Sequence, residues 1–350
     1  MSEPTPAFPA ALETERPHEV WIIQPLHRRV WIHVVLLLAT FLSTLVVGAR
    51  IQFNFASQKA VFSFADDSVS MFPVEWIWQA PDKLMGGVPF SLTLMFILLA
   101  HEMGHYLYAR HYHVYATLPY FVPFPSLIGT LGAFIRIKSP IPSRAALFDI
   151  GIAGPIAGFV PASIALVAGL SLSRPIAVSD PSAIQLGFPL AFHLAARALH
   201  IATPLAALSL HPVAVAAWVG LFATALNLLP GGQLDGGHIV SSISPQLHRA
   251  VSFFVVGALI PMGIYFWTGW LLWSALLAMT IRHPSVPTRP SLLRHHRTLA
   301  FLSLLMLVLS FAPAPITERS GREVWPEVRD QGRQAVRSVV DGVRDWLHRK

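Results

Sequence analysis

The chain contains 350 residues, of which 54% are hydrophobic and only 12% are charged. Soluble domains carry about twice that charged fraction, so the composition excludes an ordinary soluble protein and indicates one that crosses a membrane several times. Cysteine is absent, which excludes disulfides, cysteine-ligated iron–sulfur clusters and thiolate zinc sites. Histidine and carboxylate remain as the metal ligands available to this chain.

The net charge of +7 would suggest nucleic-acid binding in a soluble protein. Here the basic residues lie mainly in segments next to apolar ones, which is the positive-inside pattern of membrane proteins. We therefore expect the lipid bilayer and not nucleic acid as the surroundings of this chain. The predicted location is a bacterial inner (plasma) membrane, as a multi-pass integral protein.

The predicted fold class is an all-α polytopic membrane protein with about six to seven transmembrane helices and a small re-entrant β element. Residues 1–29 are polar without an early apolar core, so they are interpreted as a cytosolic segment rather than a cleavable signal peptide. A transmembrane domain is expected over 30–315, with its core at 85–245, and a charged tail over 316–350. That tail fits either an amphipathic surface helix or a solvated chain. The apolar segments lie at about 30–49, 88–108, 146–170, 212–229, 251–281 (two short spans) and 298–311.

The second apolar segment contains the motif His101-Glu102-Met-Gly-His105. On a helix, His101 and His105 lie one turn apart on the same face, where two imidazoles can bind one Zn²⁺. Glu102 is then placed to take a proton from a water that the metal activates. It is the only acidic residue between Lys83 and Phe148, and an ionised side chain at membrane depth is costly unless it has a function. The alternative is an interfacial helix end whose His and Glu satisfy each other.

A second acidic residue stands alone in a later segment. The apolar run 212–229 ends in Asn227-Leu-Leu-Pro-Gly-Gly-Gln-Leu-Asp235, where the proline and glycines end the helix. Asp235 is the only acid between Asp180 and Glu318, and it is expected to return to the side and depth of His101. We predict that it is the third metal ligand. The alternative is an Asx-turn in a glycine-rich loop.

The loop from Arg110 to Arg144 carries four basic residues and no acid, so the charge rule places it in the cytosol. Three prolines interrupt residues 118–126 and exclude a regular helix there. Residues 129–137 then predict a short strand. Two interpretations remain open: a surface hairpin, or a re-entrant edge that binds an extended peptide by strand addition.

Other residues near these motifs receive structural interpretations. The series Gly151, Gly154 and Gly158 predicts a small-residue face for helix packing, and Asp149 is interpreted as an interfacial cap or a partner of a nearby Arg. His111 has the spacing of a third metzincin ligand, but Tyr108 stands where that motif needs Gly. On a continuous helix His111 would lie about 15 Å from His101 along the axis. We therefore interpret His111 and His113 as interfacial, and His238 as a supporting residue.

The two motifs together resemble the site-2 protease family of intramembrane zinc metalloproteases over roughly residues 85–312. The resemblance is closest to the cyanobacterial and plastid branch, which has no PDZ domain. It implies that His101, His105 and Asp235 bind one Zn²⁺ per chain with water in the fourth position, and that Glu102 is the general base. In this family the Asn of the second motif assists at the substrate, which gives Asn227 a catalytic role. The implied substrate-binding strand contains Gly129, Thr130, Gly132, Ala133 and Phe134.

The predicted function is an intramembrane zinc endopeptidase that cleaves transmembrane segments of other membrane proteins, with its active site toward the cytosol. A metal transporter is the first alternative, but it would require several ligand sites along a path, and it gives Glu102 no role. A catalytically silent membrane scaffold is the second, although a scaffold has no use for a lone acid inside the bilayer.

Overall fold

The computed structural model describes residues 30–63, 72–178, 180, 183–281, 286–287 and 292–317. The predicted N-terminal segment and the tail after residue 317 lie outside these residues. Ten α-helices occur in the described part: α1 Val30–Ala56, α2 Val74–Gln79, α3 Val88–His111, α4 Arg144–Leu172, α5 Leu190–Ala198, α6 Pro212–Leu228, α7 Asp235–Ile243, α8 Pro245–Tyr265, α9 Gly269–Met279 and α10 Arg294–Ser310. The strands are β1 Tyr120–Pro123, β2 Thr130–Phe134, β3 Arg174–Pro175, β4 Gln185–Leu186, β5 Leu208–Ser209 and β6 Ile316–Thr317.

Four helical segments of the described chain are long and apolar enough to cross a membrane. They are α1, α3 together with the 3₁₀ helix Pro81–Gly87 that precedes it, α4 and α8, while α6 and α9 are apolar but shorter. A mostly helical membrane protein with a few small strands is therefore confirmed. The predicted total of about six to seven spans is not confirmed, because several apolar segments form helices shorter than the roughly 20 residues that cross a bilayer. Residues 186–200, which are too short and too polar for a predicted span, contain one helix, the nine-residue α5.

Helix α4 lies at the centre of the fold and packs against α3, α6 and α7. Small residues allow the close approach: a Cβ on Gly104 of α3 would lie 2.4 Å from the Ala153 carbonyl oxygen. Similarly, a Cβ on Gly169 would lie 2.2 Å from the backbone nitrogen of Ala214 in α6. Such contacts replace the hydrophobic effect as the packing force between helices in lipid. The core of this bundle contains the fully buried Phe90, Leu94, Ala162, Leu166, Ala214 and Val215.

The predicted strand at 129–137 is the second strand of a hairpin. Strands β1 and β2 are antiparallel, with Tyr120 opposite Phe134 and Phe121 opposite Ala133, and the prolines of the preceding segment lie in and around β1. The hairpin is attached to α1 through Ser43, whose hydroxyl donates to the Gly129 carbonyl at 2.7 Å. Gly129 has a φ of +78°, and a Cβ there would lie 2.8 Å from the Ser43 carbonyl oxygen. A glycine is therefore required where the hairpin meets α1.

The chain reverses direction between α6 and α7. Gly232 has a φ of +58°, and a Cβ on Gly236 would lie 2.2 Å from the Leu228 carbonyl oxygen. The turn is so tight that α7 begins directly at Asp235 and packs against α4. The glycines of this segment therefore bring Asp235 back to the end of α6 and to the face of α4.

Candidate metal centre

Three donor atoms from α3 and α7 meet at one point of the bundle. The His101 and His105 Nε2 atoms are 3.1 Å apart, and they lie 3.3 Å and 3.2 Å from the Asp235 Oδ2 atom. Tetrahedral zinc with bonds of about 2.0 Å to N and O has ligand–ligand edges of about 3.3 Å. The donor spacing therefore fits a zinc ion held by two imidazoles and one carboxylate.

The hydrogen bonds around this cluster also fit a cation. The His105 Nδ1 atom lies 2.7 Å from the Ile150 carbonyl oxygen in α4, which can only accept, so Nδ1 carries the hydrogen. In the neutral imidazole, Nε2 then directs a lone pair toward Asp235, whose Oδ2 is buried without a hydrogen-bond partner. Lone pairs this close repel one another unless a cation lies between them. A carbonyl that orients a ligating histidine through its other ring nitrogen is a regular feature of metal sites.

Two glycines of α4 make room for the imidazoles of α3. A Cβ on Gly154 would lie 2.0 Å from the His105 Nε2 atom, and a Cβ on Gly158 would lie 3.0 Å from the His101 Cβ atom. These are two of the glycines for which we predicted helix packing. They also help to set the position of the two histidines, because a Cβ at Gly154 would overlap the His105 ring and a Cβ at Gly158 would press on His101.

Glu102 and Asn227 lie beside the three donor atoms. Glu102 is 6% exposed, and its carboxylate interacts with His105 and Asp235 and accepts a hydrogen bond from the backbone of Ile135, just after β2. The Asn227 Nδ2 atom lies 3.2 Å from the His101 Nε2 atom. A carboxylate and an amide donor are thus brought to the donor cluster from α3 and α6.

The five residues predicted to bind substrate lie in or next to β2. Thr130 is buried, and its hydroxyl donates to the Val122 carbonyl at 2.8 Å, so it fixes the hairpin. Phe134 stacks on Tyr120 and is half exposed, while Ala133 packs against the bundle core. Gly132 has a φ of +100° and open space where a Cβ would be. In the described part of the chain, β2 pairs with β1 alone.

The remaining histidines near the motifs lie apart from the three donor atoms. Helix α3 continues without a break to His111, which is exposed. On this continuous helix His111 does not turn back toward His101, in agreement with the prediction that it is not a metzincin-type ligand. His113 follows with a φ of +56°. His238 belongs to α7, where its Cβ faces Gly151 of α4.

The interpretation of Asp149 was wrong. Helix α4 is capped by the Ser143 hydroxyl, which accepts from the Ala146 N–H at 3.1 Å, and Asp149 accepts instead from the Tyr112 hydroxyl and lies against His296. Burial and the Asp149 carboxylate raise the pKa of Tyr112 to about 12, so the phenol remains a donor. In the sequence, the adjacent pair His295-His296 is the feature that could have drawn attention to a histidine partner for Asp149.

An apolar helical bundle that brings an H-E-x-x-H helix against an aspartate of a second helix defines the class of membrane-embedded metalloproteases. Residues 89–268 match the model of peptidase family M50, and the chain belongs to this family, the site-2 proteases. The predicted family membership is confirmed.

The similar proteins include plastid members of the family. The chain is 30% identical over 316 residues to the probable zinc metalloprotease EGY1, chloroplastic, of Arabidopsis thaliana, which covers 86% of this chain and 54% of the relative. It is 31% identical over 235 residues to EGY2 of the same plant, covering 65% of this chain and 42% of the relative. The chain thus spans about half the length of EGY1 and less of EGY2. Zinc is the metal named for these relatives, and the donor set described above fits it.

Proposed function

We propose that this protein is an integral-membrane zinc endopeptidase that hydrolyses peptide bonds within or next to the transmembrane segments of other membrane proteins. The observation that supports it most is the buried Glu102 beside the donor atoms of His101, His105 and Asp235. A buried carboxylate that is not one of these three donors is what a peptidase needs as a base. A metal transit site has no use for it.

In this proposal the residues divide the work of hydrolysis. His101, His105 and Asp235 hold zinc, which when bound polarises the scissile carbonyl and activates the attacking water. Glu102 accepts a proton from that water as its oxygen bonds to the carbonyl carbon, and donates the proton to the amine nitrogen as the C–N bond breaks. The Asn227 amide donates a hydrogen bond to the carbonyl oxygen, where negative charge develops.

The substrate is proposed to bind in extended form along β2. A transmembrane helix has its amides bonded internally, so it must unwind before a peptide bond becomes accessible. The edge of β2 that β1 does not pair, among the described residues, offers main-chain groups to an unwound segment. In support of this, Glu102 accepts a hydrogen bond from the backbone of Ile135, the residue that follows β2.

The orientation and the total of six to seven spans are proposed from charge and hydropathy, with the loop 110–144 and the active site toward the cytosol. Because the chain has no cysteine, single cysteines can report the side of each loop. Lys83 and Lys138 are exposed and lie before and after α3, so each can be replaced by a single cysteine, as Lys83→Cys and Lys138→Cys. In intact cells, an impermeant thiol reagent should label Lys83→Cys alone. If the reagent labels Lys138→Cys alone, the protein has the opposite orientation in the membrane.

Zinc content and cleavage of a membrane-spanning peptide, measured together, test the proposed activity. The native chain should bind zinc and cut the peptide in detergent or vesicles. Glu102→Gln should keep zinc and lose activity by about 10²–10⁴-fold, whereas Asp235→Ala should lose both. A Glu102→Gln variant with native cleavage would exclude the mechanism. A native chain that binds zinc but moves it across vesicles without cutting would favour the transporter.

A further inference from the structure

A second group of metal-ligating side chains lies apart from the donor cluster of His101. Asp149 of α4 and the adjacent His295 and His296 of α10 each offer one ligand atom, and all these atoms lie within 4.8 Å of one another. The group contains two imidazoles and one carboxylate, the same donor chemistry as the first cluster. We propose that these three residues form a second binding site for a divalent transition-metal ion, with zinc as the ion that their chemistry favours.

His296 carries the strongest argument for this site. Its side chain is almost completely buried, and its Nε2 atom has no hydrogen-bond partner. The Asp149 Oδ1 atom lies 3.4 Å from it, which is beyond the usual length of an N–H···O⁻ hydrogen bond. A buried polar atom without a partner requires an explanation, and an ion between the imidazole and the carboxylate provides one.

The other nitrogen of His296 can support either state of the ring. The Nδ1 atom lies 2.8 Å from the Leu293 backbone nitrogen and 3.3 Å from the Leu293 carbonyl oxygen. Without a metal, Nδ1 accepts from the N–H. Binding a metal requires the Leu293 N–H to turn away from Nδ1, so that Nδ1 can carry the hydrogen and donate to the Leu293 carbonyl, which leaves the Nε2 lone pair for the ion. The Ile150 carbonyl already holds the His105 ring in the corresponding tautomer.

The other two ligands are suited to complete the site. The Tyr112 hydroxyl donates to the second oxygen of Asp149, which fixes the carboxylate with Oδ1 toward His296. His295 is exposed and stacks on His296 with ring centroids 4.1 Å apart. Because it is exposed, its ring can leave this stack toward solvent, and binding zinc requires that change to shorten the present spacing to roughly 3.3 Å.

The surroundings predict weaker binding than in the first cluster. Arg294 and Arg297 flank the histidine pair, and the positive end of the α10 dipole disfavours a cation. His295 is also open to solvent, so the ion has an exit path. A chelator should therefore remove this ion before it removes the one at His101.

An ion at this site would connect the ends of three helices. Asp149 directly precedes Ile150, whose carbonyl orients His105, and Tyr112 directly follows α3. Occupancy would therefore hold α10 against the start of α4, one residue from the support of the first cluster. The simpler alternative is a metal-free clamp in which Tyr112, Asp149 and His296 only bind one another.

Zinc stoichiometry of the full chain separates these two cases. After equilibrium dialysis against free Zn²⁺, the native protein should hold about two ions per chain by elemental analysis. The double variant His295→Ala/His296→Ala should hold about one, as should His101→Ala/His105→Ala, and Asp149→Asn should bind the second ion at least about tenfold more weakly. His193→Ala, an exposed histidine of α5, should match the native content. One ion in the native chain and no change in the His295/His296 variant would overturn the proposal.

A stability measurement covers the case in which a variant folds poorly. In the His101→Ala/His105→Ala background the first cluster is removed, so added Zn²⁺ can raise the melting temperature only through the second site. A rise that disappears on adding His296→Ala supports the site. A metal-free clamp would instead give no response to zinc in that background, and a lower melting temperature with His296→Ala whether or not zinc is present.

Discussion

Gly154 of α4 lies directly against the imidazole of His105, so closely that a Cβ at position 154 would come within 2.0 Å of Nε2. The same ring is held from its other nitrogen by the Ile150 carbonyl, one turn earlier on α4. Helix α4 therefore controls both the space and the orientation of a residue that belongs to α3. Gly154 is therefore a positioning element for the candidate metal centre as well as a packing contact.

Replacing Gly154 tests this relationship. We expect Gly154→Ala to displace His105 and to reduce zinc affinity by at least about tenfold, because changing a residue that orients a metal ligand commonly has that effect. The control is Gly257→Ala in α8, where a Cβ meets nothing within 4 Å and alanine should stabilise the helix by about 0.5–1 kcal/mol. Zinc titration of both variants gives the comparison. Equal zinc affinity in the two would show that Gly154 has no positioning role.

Asn227→Ala tests the amide near His101. If the Nδ2 group donates to the substrate carbonyl oxygen, its loss should lower kcat by about 10²–10³-fold with little change in KM. Zinc content should remain native, since Asn227 is not one of the three donors. A change confined to KM, or a loss of zinc with native kcat at saturating metal, would assign Asn227 a different role.

Leu131 tests the proposed substrate edge. Leu131 is 67% exposed near the start of β2, so its side chain contributes little to the stability of the free protein. Leu131→Ser should raise KM for a transmembrane peptide by about tenfold with a smaller effect on kcat, because it removes an apolar contact present throughout the reaction. Leu194→Ser, at a 50% exposed position of α5, is the matched control. The same KM for both variants would argue against substrate binding along β2.

His211 should make stability depend on pH. Burial, followed by the nearby Arg174 charge, lowers its pKa below the ordinary value of 6.5, and its Nδ1 atom accepts from the Val213 N–H at 3.3 Å to cap α6. The unfolded chain therefore binds a proton more tightly at this position, and the contribution to stability is lost as pH falls below about 6.5. The partly exposed ring makes the effect small.

Comparison with an uncharged cap isolates that contribution. Asparagine caps helices well and does not titrate, so His211→Asn should lose less melting temperature than the native chain between pH 7.5 and pH 5.5. Thermal unfolding of both proteins at the two pH values measures the difference. Parallel losses would mean that the cap is not sensitive to protonation.

The candidate site could be predicted to different degrees for different residues. His101 and His105 depend only on the pitch of one helix, so their common face follows from the spacing. Asp235 depends on a reversal between α6 and α7, which the glycines made foreseeable. The partner of Asp149 could not be foreseen, because His296 comes from α10, far along the chain, and no local pattern specifies which helix ends meet.

The sequence by itself determined that this is an apolar, helical membrane protein with two histidines and a lone acid in one helix, because hydropathy and helical periodicity are local properties of the chain. Only the tertiary structure decided that Asp235 and Asn227 reach those histidines, that the strand after Gly129 pairs with β1, and that Asp149 faces His296. The contacts at the histidines and at Asp149 depend on how closely helices approach one another. That distance is set by the glycines of α4 in combination with every residue packed against them, and it cannot be derived from any one segment.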